Sequence, residues 1–159
     1  GDGAGVFKST DRGNNWTQIN NGLDSLETNI LTVDPNDSET LYLGTDDDGV
    51  YKSTDGGESW KKLTISSIPK SFGVGDIIVD PQNSNNIYIG TVDYFRLSES
   101  RGVLGDFGIY KSTDGGTTWE EFNSGLKHLG VFSLELSEEN RILYAGTRAG
   151  GVYWIKLDN

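Results

Sequence analysis

The chain has 159 residues, 24 of them Asp or Glu against 13 Lys or Arg, for a net charge of −11 at neutral pH. That balance excludes a nucleic-acid surface, which needs clustered Lys and Arg to neutralise phosphates. The absence of Cys excludes disulfides, thiolate catalysis and zinc–thiolate sites, and no run approaches the roughly 20 apolar residues of a membrane span.

Hydrophobic residues make up only 34% of the chain while Gly occurs 22 times, which suits short strands and tight turns better than packed helices. Four Trp, seven Tyr and six Phe give this thin hydrophobic inventory large pieces to bury. The chain opens Gly1-Asp2-Gly3 with neither Met nor a signal peptide, as expected of a trimmed start.

In chain order, a strand-like Gly-Val-Phe-Lys at 5–8 leads into the octamer STDRGNNW at 9–16. The same pairing returns as Gly-Val-Tyr-Lys at 49–52 with STDGGESW at 53–60, and as Gly-Ile-Tyr-Lys at 108–111 with STDGGTTW at 112–119. A fourth tetrad, Gly-Val-Tyr-Trp at 151–154, has no octamer after it. Two further segments keep step: LYLGT at 41–45, IYIGT at 87–91 and LYAGT at 143–147; and Val33-Asp34-Pro35 and Val79-Asp80-Pro81, replaced in the last repeat by Leu136-Ser137. Such self-similarity defines a repeat protein.

Alternation and turn signals divide the clearest repeat into four strands, A to D, at about 29–33, 40–44, 49–53 and 59–64. Asp-Pro with Asn and Ser closes A–B, an acidic or Gly-containing loop closes B–C, and the octamer closes C–D. Four antiparallel strands per repeat predict an all-β protein, a β-propeller of four-stranded blades. The blades are predicted at 29–64 and 74–122, flanked by partial blades at 4–18 and 131–157. The second full blade carries the one sizeable insertion, a long B–C loop at 92–107, and loops of that length are more often functional than neutral.

Within each octamer the small hydroxyl and the carboxylate (Ser9 and Asp11, Ser53 and Asp55, Ser112 and Asp114) can accept hydrogen bonds from amides inside the turn. Gly13, Gly57 and Gly116 are expected to take the positive φ of a tight hairpin, and Trp16, Trp60 and Trp119 to cover it with a buried indole. The three Asp residues therefore read as structural rather than catalytic.

The octamers, the Gly-Val-Tyr-Lys strands and the Tyr-x-Gly-Thr strands resemble Asp-box repeats, also called bacterial neuraminidase repeats, over nearly the whole chain. Such repeats occur in sialidases, xyloglucan-hydrolysing endoglucanases, sortilin-type receptors and a photosystem II assembly factor, so the resemblance is specific for fold and weak for function. A sialidase of this kind would hold its substrate carboxylate with three Arg and carry an Arg-Ile-Pro signature; Phe95-Arg96-Leu97 lacks the Pro. Arg12, Arg101, Arg141 and Arg148 are too scattered to suggest a triad. The xyloglucanase-like relatives would use two Asp on loops as acid and base, and their motif contexts are not visible. The catalytic residues are left unknown.

In a propeller the B–C and D–A loops share one face, and ligand residues are sought there. That filter keeps Asp46, Asp47, Asp48, Asp76 and Asp106, with Tyr94, Phe95, Phe107, Arg96 and Arg101 as aromatic platforms and cations for a glycan or protein ligand. Asp46–Asp48 reads as a solvated turn or, more sharply, as a calcium site, clustered carboxylates being the hard oxygen ligands that cation prefers; no other cofactor is expected. The lone His128 has no partner suggesting a triad.

The strands add up to three blades and one strand, fewer than the four blades of the smallest propellers. The missing faces are expected to be covered by the remaining blades of a longer parent chain or by copies of this one. The favoured function is a non-catalytic recognition or scaffold propeller, extracellular or periplasmic; the alternative is a fragment of a secreted glycoside hydrolase.

Overall fold

The computed structural model describes residues 3–68, 72–94 and 105–157. Phe95, Arg96 and Arg101, three of the ligand residues expected from the sequence, lie outside the described residues. The described strands form four antiparallel sheets. The first holds β1 (Phe7–Lys8) and β2 (Thr17–Gln18). The second is β3 (Thr28–Asp34), β4 (Asp37–Thr45), β5 (Val50–Ser53) and β6 (Lys61–Lys62), and the third is β7 (Gly73–Val79), β8 (Ile87–Val92), β9 (Ile109–Ser112) and β10 (Glu120–Glu121). The last holds β11 (Val131–Ser137), β12 (Ile142–Thr147) and β13 (Gly151–Lys156). Within each sheet the strands pair in chain order, so the protein is an all-β propeller built of Asp-box blades, with an incomplete ring.

The two-residue period of a strand explains how neighbouring blades stack. In β4, Leu41 and Leu43 face the first sheet, packing with Val6 and Leu23, while Tyr42 faces the third sheet and its Val74 and Ile77. One blade later, Ile87 and Ile89 of β8 face back and Tyr88 faces forward to Leu134 and Leu143. Every residue of β8 is buried, because both sides of an interior blade are covered. At the ends of the arc the same positions are bare: Leu31, Val33 and Phe7 on one side, and Val152 and Trp154, 70% and 66% exposed, on the other.

The octamer turns are alike. Ser53 Oγ accepts from Gly57 N at 2.9 Å and donates to Asp55 Oδ1 at 2.7 Å, and that oxygen accepts from Ser59 N at 2.9 Å. Ser112 with Asp114, and Ser9 with Asp11, repeat the arrangement. Gly13, Gly57 and Gly116 have φ of 85°, 91° and 92°. The fourth strand is shorter than the sequence suggests, because Ser59-Trp60 still belongs to the turn and Trp60 N bonds Asn21 O in the connection that follows β2.

The three tryptophans are not equivalent, which corrects the expectation of three buried covers. Trp60 is 5% exposed and its indole donates to Ile19 O at 2.8 Å, whereas Trp16 is 62% exposed and bonds only the Gly13 carbonyl of its own turn. Trp119 is half-buried and bonds Gly116 O. Trp60 is covered by the sheet before it and Trp119 only partly so, while among the described residues no sheet precedes the first to cover Trp16.

Side chains at the octamer end also link successive blades. Lys8 Nζ donates to Gly56 O at 3.1 Å and Lys52 Nζ to Gly115 O at 3.0 Å. Ser84 Oγ donates to Asp34 Oδ1 at 2.7 Å, and Arg141 grips Asp80 through both guanidinium nitrogens. Among the described residues no helix is long and apolar enough to cross a membrane.

Candidate functional site

At the opposite end, the B–C loops and the D–A connections meet beside the innermost strands. The Asp46-Asp47-Asp48-Gly49 loop is tight: Thr45 N donates to Gly49 O at 3.0 Å, Asp48 N donates to Thr45 Oγ1 at 2.9 Å, and Gly49 takes a φ of 77°. Its three carboxylates diverge. Asp48 accepts from the Tyr51 hydroxyl through one oxygen and pairs with the Lys62 ammonium through the other. Asp47 accepts from Ser25 Oγ at 2.9 Å. Asp46 is anchored by its backbone N on Glu27 O at 2.8 Å, and burial, with the charges of Glu27 and Asp47 beside it, holds its carboxyl above the usual carboxylate range. Among the described residues no three His, Asp or Glu converge as a metal centre would require.

Gly73, at the start of β7, brings the first loop against the second. A Cβ there would lie 2.6 Å from Asp46 O and 2.8 Å from the Tyr94 ring, so only Gly lets both approach. The Tyr94 hydroxyl accepts from Asn29 Nδ2 and points to Val74 O, to which Asn29 also donates at 2.9 Å. Burial foremost raises the Tyr94 phenol, so this hydroxyl stays a neutral donor and acceptor at ordinary pH. The ring meets Phe132 edge to face, with centroids 5.9 Å apart. Phe132 is 42% exposed, and the Arg148 guanidinium sits 5.2 Å over its ring.

Arg148 also fastens the neck of the long B–C connection. It donates to Asp93 O and lies 3.9 Å from Asp106 Oδ1, and that oxygen accepts from Asp93 N at 2.7 Å. Phe107 N donates to Thr91 Oγ1, and the Phe107 ring packs against the core between the second and third sheets. Phe107 is thus chiefly a packing residue, since its ring is turned to the blade interior. Asp76 is likewise engaged: its oxygens accept from Ile77 N and Leu134 N, each at 2.8 Å, binding β7 to β11. Burial outweighs those two bonds and leaves the carboxyl raised.

The structure therefore brings Asp46 and Tyr94 together, directs Asp48, Asp76 and Phe107 to packing or bonding within the fold, and adds Asn29, Phe132 and Arg148. Asn29 and Phe132 sit at the irregular positions of β3 and β11, where the register of the A–B pairing shifts. Sequence alternation alone does not expose such positions. The Phe in Val131-Phe132 was the available signal, an aromatic where β3 has Asn29 and β7 has Gly75.

The comparisons with known proteins agree with this architecture. Residues 4–152 match the Sortilin-Vps10 family model, described as sortilin, neurotensin receptor 3. The xyloglucanase Xgh74A of Acetivibrio thermocellus is 33% identical over 96 residues, which is 55% of this chain and 11% of that enzyme. An ancestral GH74 enzyme superposes with a TM-score of 0.77 at 25% identity, covering 97% of this chain and 20% of its own. The GH74 enzyme of Niastella koreensis gives 0.68 at 27% identity, with 94% and 24% covered. The GH74 xyloglucanase of Xanthomonas campestris shares the fold at 0.70 and 17% identity, with 98% and 26% covered. The chain spans about a tenth of the curated relative and no more than about a quarter of these solved chains. With the family model matching almost end to end, on blades whose octamers, turn glycines and inter-blade bonds repeat, the chain belongs to the Sortilin-Vps10 family of Asp-box propeller proteins.

Proposed function

We propose that these blades supply a glycan-binding surface of a secreted glycoside hydrolase, with xyloglucan as the first substrate to test. The observation that carries the reading is the half-exposed Phe132, held between Tyr94 and Arg148 at the meeting of three blades. The C–H face of a pyranose stacks on such a ring, and the Asp46 carboxyl and the Tyr94 hydroxyl are of the type that bonds sugar hydroxyls. Support for the chemical class comes from relatives named as xyloglucanases and GH74 enzymes. The substrate is secreted plant polysaccharide, so the reading also makes the protein extracellular or periplasmic.

Titrating the full-length protein with xyloglucan oligosaccharides by calorimetry tests it. Phe132→Ala is expected to weaken binding at least tenfold, and release of reducing ends from xyloglucan is expected from the intact protein. Unchanged affinity in Phe132→Ala and Tyr94→Ala would remove the site. A second reading, a protein-binding propeller, is favoured by the family match to a receptor; displacement of a bound protein by xyloglucan oligosaccharide would place both ligands on this face.

A further inference from the structure

At the octamer end, the gap between the second and third sheets opens into a groove of about 600 Å³, inside the roughly 300–1,000 Å³ range of small-molecule clefts. One wall is β6 and the turn before it, the other the Gly115-Gly116-Thr117 turn. Both sheets that wall it have all four strands. In a chain with 24 acidic residues, no Asp or Glu is among the residues that line this groove, and three lysines are. Lys62 is already paired with Asp48. Lys52 and Lys61 stand directly opposite each other in the β5–β6 pair and so share a face. Lys52 Nζ is held there by Gly115 O at 3.0 Å and by the Tyr42 ring, whose centroid is 5.2 Å away.

The repeat shows that this accumulation of charge is a departure. One gap earlier, Lys8 donates to Gly56 O just as Lys52 does to Gly115 O, but it also meets the Glu58 carboxylate at 3.1 Å, and the residue opposite it is Thr17. In the second gap the counterpart of Glu58 is Thr117 and the counterpart of Thr17 is Lys61. One carboxylate is lost and one ammonium gained. The third sheet places Glu120 opposite Lys111, the compensated form of the same cross-strand pair. Like charges directly opposite in an antiparallel pair are destabilising, and neither Lys52 nor Lys61 is in an ion pair among the described residues.

We propose that this groove binds an acidic saccharide, whose carboxylate is held by the ammonium groups of Lys52 and Lys61. An ammonium has three donors, and the bond to Gly115 O uses one of those on Lys52. The exposed hydroxyls of Thr54 and Thr64 and the half-buried Leu63, all on the lining, match the hydroxyls and the C–H face of a sugar ring. The volume admits more than a bare ion. Phe132 lies at the other end of the blades, so the two sites are separate.

The probe is digalacturonic acid, titrated into the full-length protein by calorimetry at low salt, with neutral galactobiose as the control. Saturable binding of the acid is expected, weakening as salt is added and at least tenfold weaker in Lys61→Glu and in Thr117→Glu. Each variant restores a carboxylate that another blade carries at the same position, so both are expected to fold, and thermal midpoints check this. Phe132→Ala is expected to leave digalacturonate affinity unchanged, so failure of the glycan surface described above does not touch this site. No saturable binding, or binding indifferent to both lysine-groove variants, overturns the proposal. Galactobiose bound as tightly as the acid, or inorganic sulfate competing at equal affinity, overturns the assignment of an acidic saccharide.

Discussion

The guanidinium of Arg141 forks onto both carboxylate oxygens of Asp80, at 2.9 and 2.6 Å, across the gap between the last two sheets. Asp80 is fully buried and also accepts from Gln82 N at 3.0 Å, and Arg141 sits in the turn between β11 and β12 with a φ of 52°. A paired charge of this kind costs little while intact and much when broken.

Asp80→Asn and Arg141→Met are therefore each expected to destabilise the protein by on the order of 3 kcal/mol, and the double variant Asp80→Asn/Arg141→Met by less than the two singles combined. Denaturant midpoints of the four proteins check this. Additive losses would mean that the pair is not coupled.

The same pair sets a pH response. Burial pushes the Asp80 carboxyl up, but the bonds from Arg141, Gln82 and Asn86 together pull it below its usual range. A depressed folded value contributes stability above the unfolded pKa of about 3.9, lost as pH falls through the folded value. Asp55 and Asp114, brought to about 2 chiefly by the hydroxyls and amides of Ser59 and Thr118, act in the same direction. Thermal midpoints are expected to fall between pH 4 and about 2, where these groups protonate, and less steeply in Asp55→Asn.

Trp60→Ala is expected to cost about 3–5 kcal/mol, the usual range for a buried large aromatic. Trp16→Ala, at an exposed copy of the same motif, is expected to change stability by roughly 0.5 kcal/mol or less. Similar midpoints for the two variants would show that the indole does not depend on a preceding blade.

Gly75→Ala probes the inner wall. A Cβ there would lie 2.1 Å from Val131 O and 2.9 Å from Phe132 Cα, both backbone atoms. The sheets must separate to admit it, at about 1–3 kcal/mol for overpacking, and Phe132 would shift with them. If the face binds glycan as proposed, Gly75→Ala is expected to weaken that binding along with stability, read by calorimetry and denaturant midpoints.

How much of this was legible beforehand differs by level. The strand order and the box chemistry were readable because they are local: Ser53, Asp55 and Gly57 bond within one turn. The unequal tryptophans were not, since burial of Trp60 depends on Ile19 and Asn21, about 40 residues away. Arg141 lies in the A–B turn of the last repeat, which lacks Asp-Pro, so the pattern that revealed the repeat hid the residue bridging it to its neighbour. The meeting of Tyr94, Phe132 and Arg148 is a product of ring geometry, and among the acidic candidates the alternation of strands could not tell the outlying Asp46 from the bonded Asp48 and Asp76.

The lysine contacts at the octamer end carry a consequence for biogenesis. Lys8 waits for a carbonyl 48 residues downstream and Lys52 for one 63 residues downstream. At roughly 5–20 residues per second of translation, each blade stands for several seconds with its trailing face wet before the next box arrives to seal it. Were folding to keep pace with synthesis, it would lag by one blade, leaving one sheet face bare in the interval.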